Sequence, residues 1–268
     1  EGYSCQIVAQ ECMDWLNQKS DDPFFLYVAF HEPHVKVASP PELVEKYKNL
    51  PQKDAEYLAN IDHLDRAIGR ILNYLEQHDL MDNTIIMFSS DNGSYRLASN
   101  AGLKAVKSFL YDGGIRVPGI IKWSGIKTDR KVVEEPIGLV DVLPTLCEMV
   151  GISPPDDLDG TSFLPLLEGK PFQRKLPLYW FFYRTSPEIA MRIGDHMILG
   201  LDNDTIPRPH QFSQDDLEYL KNISLKDYEL YDLRNDFSQE KNLFHTHPNK
   251  DSLKQLINHK LTEIKNNR

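Results

Sequence analysis

Cysteine is scarce in this chain, and the scarcity excludes two classes at once. The 268 residues hold three cysteines, Cys5, Cys12 and Cys147. No C-x-x-C pair occurs, so the chain has neither a disulfide framework nor a thiolate zinc pattern. Basic excess is also missing: 30 Lys and Arg stand against 40 Asp and Glu, a formal net charge of −10. That argues against nucleic acid as the main partner, because phosphate binding needs a basic face. No apolar run approaches the roughly 20 residues of a membrane-spanning helix, and no signal-peptide pattern opens the chain. Repeats and low-complexity tracts are absent. An anionic substrate stays open, since one or two placed cations override a global field locally.

Apolar periodicity is well supplied. Cys5 to Gln18 reads as a helix with Ile7, Val8, Cys12, Trp15 and Leu16 on one side. Phe24 to Phe30 is nearly all apolar, the pattern of a strand buried on both faces. The prolines of "HEPHVKVASPPEL" make the following stretch a loop. From Lys53 to Gln77 the apolar positions Leu58, Ile61, Leu64, Ile68, Ile71, Leu72 and Leu75 predict a long amphipathic helix. Strands are expected at Thr84–Phe88 and Gly119–Trp123, and a helix over "GLVDVLPTLCEMVGI" that stops at Gly151. The alternation of strand and helix argues for an α/β fold with a largely parallel sheet. After about Lys170 the texture changes. "LPLYWFFYR", "IAMRIGDHMILGL" and "YELYDLRND" read as strands, with a hairpin turn near Gly194–Asp195. A polar helix follows from about Lys250. The boundary is placed near Pro171, giving portions 1–170 and 171–268, the latter a small antiparallel sheet with a helix.

Ligands of open α/β sheets bind beyond the carboxyl ends of the strands. The first buried strand ends on His31-Glu32-Pro33-His34, the second on Asp91-Asn92-Gly93. A carboxylate beside an amide carbonyl suits a hard cation such as Ca²⁺ or Mg²⁺, which needs around six oxygens. The same tripeptide is also an ordinary turn. His34, stiffened by Pro33, could bind an anion or protonate a leaving group, or be a plain loop histidine. Lys104 and Lys107 offer point charges for a sulfate or phosphate oxygen, or are solvated lysines. Gly113-Gly114 marks a backbone requirement. Three glycosylation-type triplets begin at Asn92, Asn203 and Asn222 and fix no compartment by themselves.

Taken together and in order, these segments resemble the sulfatase family, in its arylsulfatase A-like branch of the alkaline-phosphatase-like superfamily. "PFFLYVAFHEPH" resembles the strand leading to the active-site histidine, and "DNTIIMFSSDNG" the strand ending in two calcium ligands. "GLKAVKSFLYDGGIRVPGIIKW" resembles the segment carrying the sulfate-binding lysine. "DVLPTLCEMVGI" with "LDGTSFLPLLEG" resembles the close of the large domain, and "YELYDLRNDFSQEKNL" the C-terminal hairpin. The fold implied is α/β: the C-terminal part of an alkaline-phosphatase-like mixed-sheet domain, followed by a small antiparallel sheet plus helix.

The resemblance implies that Asp91 and Asn92 ligate one Ca²⁺ ion, that His34 serves the leaving oxygen and that Lys107 contacts the sulfate. Lys104 is the weaker candidate. Three departures stand out: Ala105-Val106 replaces a glycine-rich stretch, Asp112 replaces glutamate, and His196-Met197 replaces Trp-Lys. The resemblance further implies a formylglycine nucleophile made from a Cys/Ser-x-Pro-x-Arg motif. No such motif occurs here, nor do the paired aspartates that would complete the calcium site. The chain is therefore expected to be the C-terminal half of a sulfatase, partnered by the N-terminal half of the same protein and inactive alone. The implied substrate is a small-molecule or oligosaccharide sulfate ester. A secreted, periplasmic or lysosomal location is implied in the same way. Two alternatives stay open: a phosphatase or phosphodiesterase of the same superfamily, and a non-catalytic sugar-binding module.

Overall fold

The structure is a computed structural model of the chain, and it describes residues 2–19, 22–126, 131–183, 188–204 and 214–266. It divides into two compact units, residues 1–86 and 87–268.

In the first unit, helix α1 (Ser4–Gln18) packs on α3 (Gln52–Gln77), with the short α2 (Pro41–Lys46) also against α3. Small residues let the two long helices approach: Cys5, Ala9 and Ala67 are wholly buried together. Cys12, Leu16 and Leu75 form the next layer. Each fully buried Leu contributes about 1.5–3 kcal/mol. Phe24, Leu26, Val28 and Phe30 pack against these layers from the side. The predicted two-faced burial of this run is not what the structure shows. Phe25, Tyr27 and Ala29 are exposed and alternate with their half-buried neighbours, and the run joins no sheet. Period-2 side-chain alternation is the mark of extended chain with one face covered.

In the second unit, β1 (Ile86–Phe88, which begins at the boundary) pairs with β2 (Ile120–Lys122). Both are shorter than the sequence predicts, and among the described residues they form only this two-stranded sheet. Met87 and Ile121 pack on α6 (Leu164–Leu167) through Leu164, Leu166 and Leu167. Between β1 and β2 lies the one-turn helix α4 (Asp112–Ile115), and after β2 comes α5 (Val142–Met149). Gly151 ends α5 in the left-handed region (φ +73°), with Ile152 N–H donating to Cys147 O at 2.9 Å, as its glycine predicts. Before α5, the fully buried Asp141 accepts from Gly138 N–H at 2.7 Å, from Thr161 N–H at 2.8 Å, and from both arms of Arg174.

The strands β3 (Leu178–Phe182), β4 (Glu188–Ile193), β5 (His196–Leu201) and β6 (Asp227–Asp232) form an antiparallel sheet in that order. Gly194 makes the predicted β4–β5 hairpin turn at φ +56°. Alternation again sorts the faces. Ile189, Met191, Ile198 and Leu230 meet α7 (Gln214–Asn222) and α8 (Lys250–Asn266) through Leu220, Ile257 and Leu261. Ala190, Met197, Leu199 and Tyr231 meet Leu110, Tyr111 and Ile115 on the other face. The small sheet is thus a platform for the segment that carries both candidate lysines. Arg184 and Thr205, which fall within the predicted strand and triplet, lie outside the described residues.

Candidate functional site

The tip beyond β1 is built from its own backbone. Ser89 Oγ donates to Pro118 O at 3.1 Å and Ser90 Oγ to Asn92 O at 3.2 Å. Asp91 Oδ1 accepts Asn92 N–H at 2.9 Å, and Asn92 Nδ2 donates to Gly93 O at 2.9 Å. Asp91 Oδ2 and Asn92 Oδ1 accept no hydrogen bond among the described residues. These are the two oxygens a hard cation would use.

The Asp-Asn-Gly tip is strapped to the lysine segment. Gly93 N–H donates to Gly114 O at 2.8 Å, and Lys107 N–H donates to Ser94 O at 2.8 Å. A Cβ on Gly93 would stand 2.2 Å from Gly113 O. Close backbone approach, rather than left-handed φ, also explains Gly113-Gly114. A Cβ on Gly113 would meet Ala105 O at 2.3 Å, and one on Gly114 would meet Phe109 O at 2.0 Å.

The lysine segment is held from several sides. Asn100 Nδ2 donates to Leu103 O and Ala105 O, both at 2.6 Å, and Gly113 N–H donates to Lys104 O at 2.9 Å. Leu110 N–H donates to Glu188, and Asp112 N–H to Gln239. Burial pushes the Glu188 and Asp112 carboxyls above their usual range; for Asp112 the Arg116 guanidinium at 3.4 Å pulls the other way. Ala105 and Ser108 adopt positive φ, +63° and +79°. Ala105 thus takes the backbone form that favours glycine, at the position where its family resemblance expects glycine. Left-handed non-glycine residues cost about 1–3 kcal/mol each and cluster at functional sites.

The two lysines differ sharply. Lys104 Nζ donates to Tyr231 Oη at 2.7 Å and lies 4.3 Å and 4.8 Å from the ring centres of Tyr111 and Tyr231. Glu229 stands 3.9 Å away and accepts both tyrosine hydroxyls at 2.7 Å. Burial, then the bond to Glu229, pushes both phenols well above their usual range. Lys104 is a caged, structural cation. Lys107, half-buried beside the tip, has no hydrogen-bond or ion-pair partner for its ammonium among the described residues.

In the first unit, His34 is exposed, its Nδ1 2.7 Å from Val35 O and its ring 5.3 Å from that of His31. Glu32 does the anchoring. Its Oε1 accepts from Ser4 Oγ and from Cys5 N–H at 2.9 Å, which places a carboxylate on the N-terminus of α1. Burial pushes the Glu32 carboxyl up, but the bonds from Ser4 and the Cys5 backbone outweigh it and hold the carboxyl below its usual value. The Cys5 thiol, buried beside that charge, is pushed up to about 11.

The backbone strap therefore ties the segments that carry Asp91-Asn92 and Lys107 to each other within the second unit, while His34 lies in the first. Among the described residues no three His, Cys, Asp or Glu side chains converge on a metal position. Asp91 and Asn92 carry oxygens of the kind a hard cation takes, and two such groups are fewer than the roughly six oxygens it needs. Sequence reasoning missed the anchor Glu32 and the cage of Tyr111, Glu229 and Tyr231. The one signal for the cage was the alternation of "YELYD", which puts Glu229 and Tyr231 on one face of a strand.

Comparison with known proteins gives the context. The family model described as Sulfatase matches residues 1–152. A protein named Sulfatase from Formosa agariphila is 31% identical over 93% of this chain and 48% of its own length. Human N-acetylgalactosamine-6-sulfatase is 31% identical over 73% of the chain and 38% of its own length. The chain thus spans about half the length, or less, of these relatives. Among solved structures, one named Ps i-CgsB, in complex with a neocarrahexaose, superposes with a TM-score of 0.79. It is 22% identical over 98% of this chain and 55% of its own. A protein solved with its substrate D-glucosamine-2-N,6-O-disulfate gives 0.70, at 18% identity over 99% of this chain and 70% of its own. A phosphonate monoester hydrolase of Agrobacterium radiobacter gives 0.68, at 19% identity over 99% and 62%.

Proposed function

The chain belongs to the sulfatase family, and from that premise we propose that it is part of a sulfuric ester hydrolase acting on sulfated carbohydrate. The observation that carries this reading is the strap that ties the backbone of Lys107, whose ammonium has no partner among the described residues, to Ser94, two residues beyond Asn92. A cation and a hard-metal half-site on one rigid loop pair suit a tetrahedral oxyanion. Asp91 and Asn92 would hold Ca²⁺, which when bound supplies charge stabilisation to the sulfuryl oxygens. Lys107 donates to a sulfuryl or bridging oxygen as negative charge grows there. His34 donates a proton to the departing oxygen. The nucleophile, formylglycine by resemblance, belongs to residues that this chain does not contain. The chain by itself is therefore expected not to turn over, and it is completed by the N-terminal half of the same polypeptide. Residues 1–170 would close the catalytic domain and 171–268 form the α+β subdomain, in a secreted, periplasmic or lysosomal protein.

Carbohydrate as substrate class is supported by the amino-sugar disulfate bound to one fold relative and the neocarrahexaose bound to another. A phosphorus-ester reading is favoured by one observation, the shared fold of the phosphonate monoester hydrolase. The test uses the full polypeptide that contains this chain, with a fluorogenic sulfate ester, the matching phosphate ester and metal analysis. Sulfate hydrolysis with one calcium per chain is expected. Lys107→Ala and Asp91→Ala should each lower kcat by about 10²–10³. Phosphate preference with two transition metals would overturn the reading.

A further inference from the structure

Lys107 sits on a turn that its own sequence does not favour. Phe109 N–H donates to Val106 O at 3.2 Å, which closes a four-residue turn with Lys107 and Ser108 at its corners. Ser108 stands at φ +79°, in the corner that a type II turn ordinarily gives to glycine. Ala105, two residues before Lys107, is left-handed as well, at φ +63°. Such residues persist only where the surroundings over-determine them. Here the surroundings come from the small sheet. The loop is pinched at its neck by Gly113 N–H on Lys104 O at 2.9 Å. Before the turn, Lys104 Nζ donates to Tyr231 Oη and that hydroxyl donates to Glu229 of β6, each at 2.7 Å. After the turn, Glu188 of β4 accepts Leu110 N–H at 3.0 Å, and Glu229 accepts the Tyr111 hydroxyl at 2.7 Å. Glu188 is 5% exposed, so water competes little for its bond. Burial of Leu110, Tyr111 and Ile115 accounts for docking on the sheet, but it does not call for carboxylates on both sides of one turn.

We propose that Glu229, through Tyr231 and Lys104, and Glu188, through the Leu110 amide, are positioning residues that hold the Lys107 turn in its strained form, so that the small sheet sets where the Lys107 ammonium reaches. This rests on the reading of Lys107 as the donor to the ester oxygens. Neither carboxylate enters the chemistry; each acts on the rate through Lys107 alone. Donation from Lys107 strengthens as negative charge grows on those oxygens, so its misplacement is felt in kcat more than in KM. A shift of about 1 Å in a group at the reacting centre can cost about 10²-fold.

A double-mutant cycle in rate tests this on the full polypeptide that contains this chain, with whichever of the sulfate and phosphate esters it turns over. Glu229→Gln is expected to lower kcat about tenfold or more and to leave KM within about twofold. With Lys107→Ala already present, Glu229→Gln should change the residual kcat by less than about twofold. A merely structural role lowers the folded fraction alike in both backgrounds. Equal fold-losses in the two, or an unchanged kcat in Glu229→Gln alone, would therefore overturn the proposal. If Glu229→Gln does not fold, Tyr231→Phe removes only the hydroxyl between Lys104 and Glu229 and takes its place in the cycle, with the same outcomes. Glu188→Gln keeps an acceptor for Leu110 N–H and should hold kcat within about threefold, whereas Glu188→Leu strands that amide and should lose about tenfold. Equal rates for the two would remove Glu188 from the assignment. Failure of the underlying reading looks different: Lys107→Ala would then run at the parent rate, or the polypeptide would turn over neither ester. A large loss in Lys107→Ala with multiplicative losses from Glu229→Gln would refute the positioning and leave that reading standing.

Discussion

Replacing Lys104 and Lys107 separately by methionine discriminates their roles, because methionine keeps an apolar stem and deletes only the charge. Lys104 loses a charge-assisted hydrogen bond to Tyr231 and two ring contacts. Such a bond is worth about 1.5–3 kcal/mol when buried, and a cation over a ring at an open site about 0.5–1 kcal/mol. The Lys104 side chain is 36% exposed, so solvent screening cuts the total to about 2 kcal/mol. For a unit of this size that is a fall in Tm of about 4–8 °C. Lys107→Met removes no partner and should stay within about 0.5 kcal/mol of the parent. Urea unfolding followed by circular dichroism reads both, provided the m-values agree. A double-mutant cycle with Glu229→Gln should show coupling for Lys104 and none for Lys107. If Lys104→Met were neutral and Lys107→Met costly, the assignment of cage and free cation would be reversed.

Three further outcomes are expected. Gly93→Ala should cost about 1–3 kcal/mol, since its Cβ would meet Gly113 O at 2.2 Å. Limited proteolysis within 91–114 should accelerate in parallel, and unchanged stability would show that the strap is dispensable. Asp141→Ala should cost about 3–5 kcal/mol by stranding Arg174. Glu45→Ala, which breaks an exposed pair with Lys48, should stay under about 1 kcal/mol. Comparable effects in thermal melts would refute the burial argument. Glu32 is held below its usual carboxylate value, so its contribution is fully present above the unfolded-state value of about 4.3. It disappears as pH falls through the lower folded value. Glu32→Gln should therefore flatten the acid limb of stability against pH between about 5 and 3, and a limb of unchanged slope would sink the assignment.

The helices were legible because their signal is local. The apolar spacing of Cys5 to Gln18 and of Lys53 to Gln77 predicts two helices, and both form within one residue of expectation, although Ile7, Trp15 and Ile61 of the expected faces are exposed while Cys5, Ala9 and Ala67 make the buried contact. The hairpin at Gly194 and the stop at Gly151 follow from positive φ that glycine adopts at no steric cost. Phe24–Phe30 was misread as buried on both faces, because a run of apolar residues does not say whether its neighbours are at hand. Composition by itself also made Lys104 and Lys107 near equals, three residues apart on one loop.

The sequence by itself determined the family, through a resemblance that the family model bears out, and it marked the candidates: oxygens at a strand tip, a cation on the following loop and a histidine behind a proline. Tertiary structure alone decided which lysine is spent and which is free. It did so by folding the loop onto the β3–β6 sheet, where Glu229 and Tyr231, more than 120 residues downstream of Lys104, close around one ammonium. Side-chain identity is local, but a partner supplied across that distance exists only once the sheet has formed.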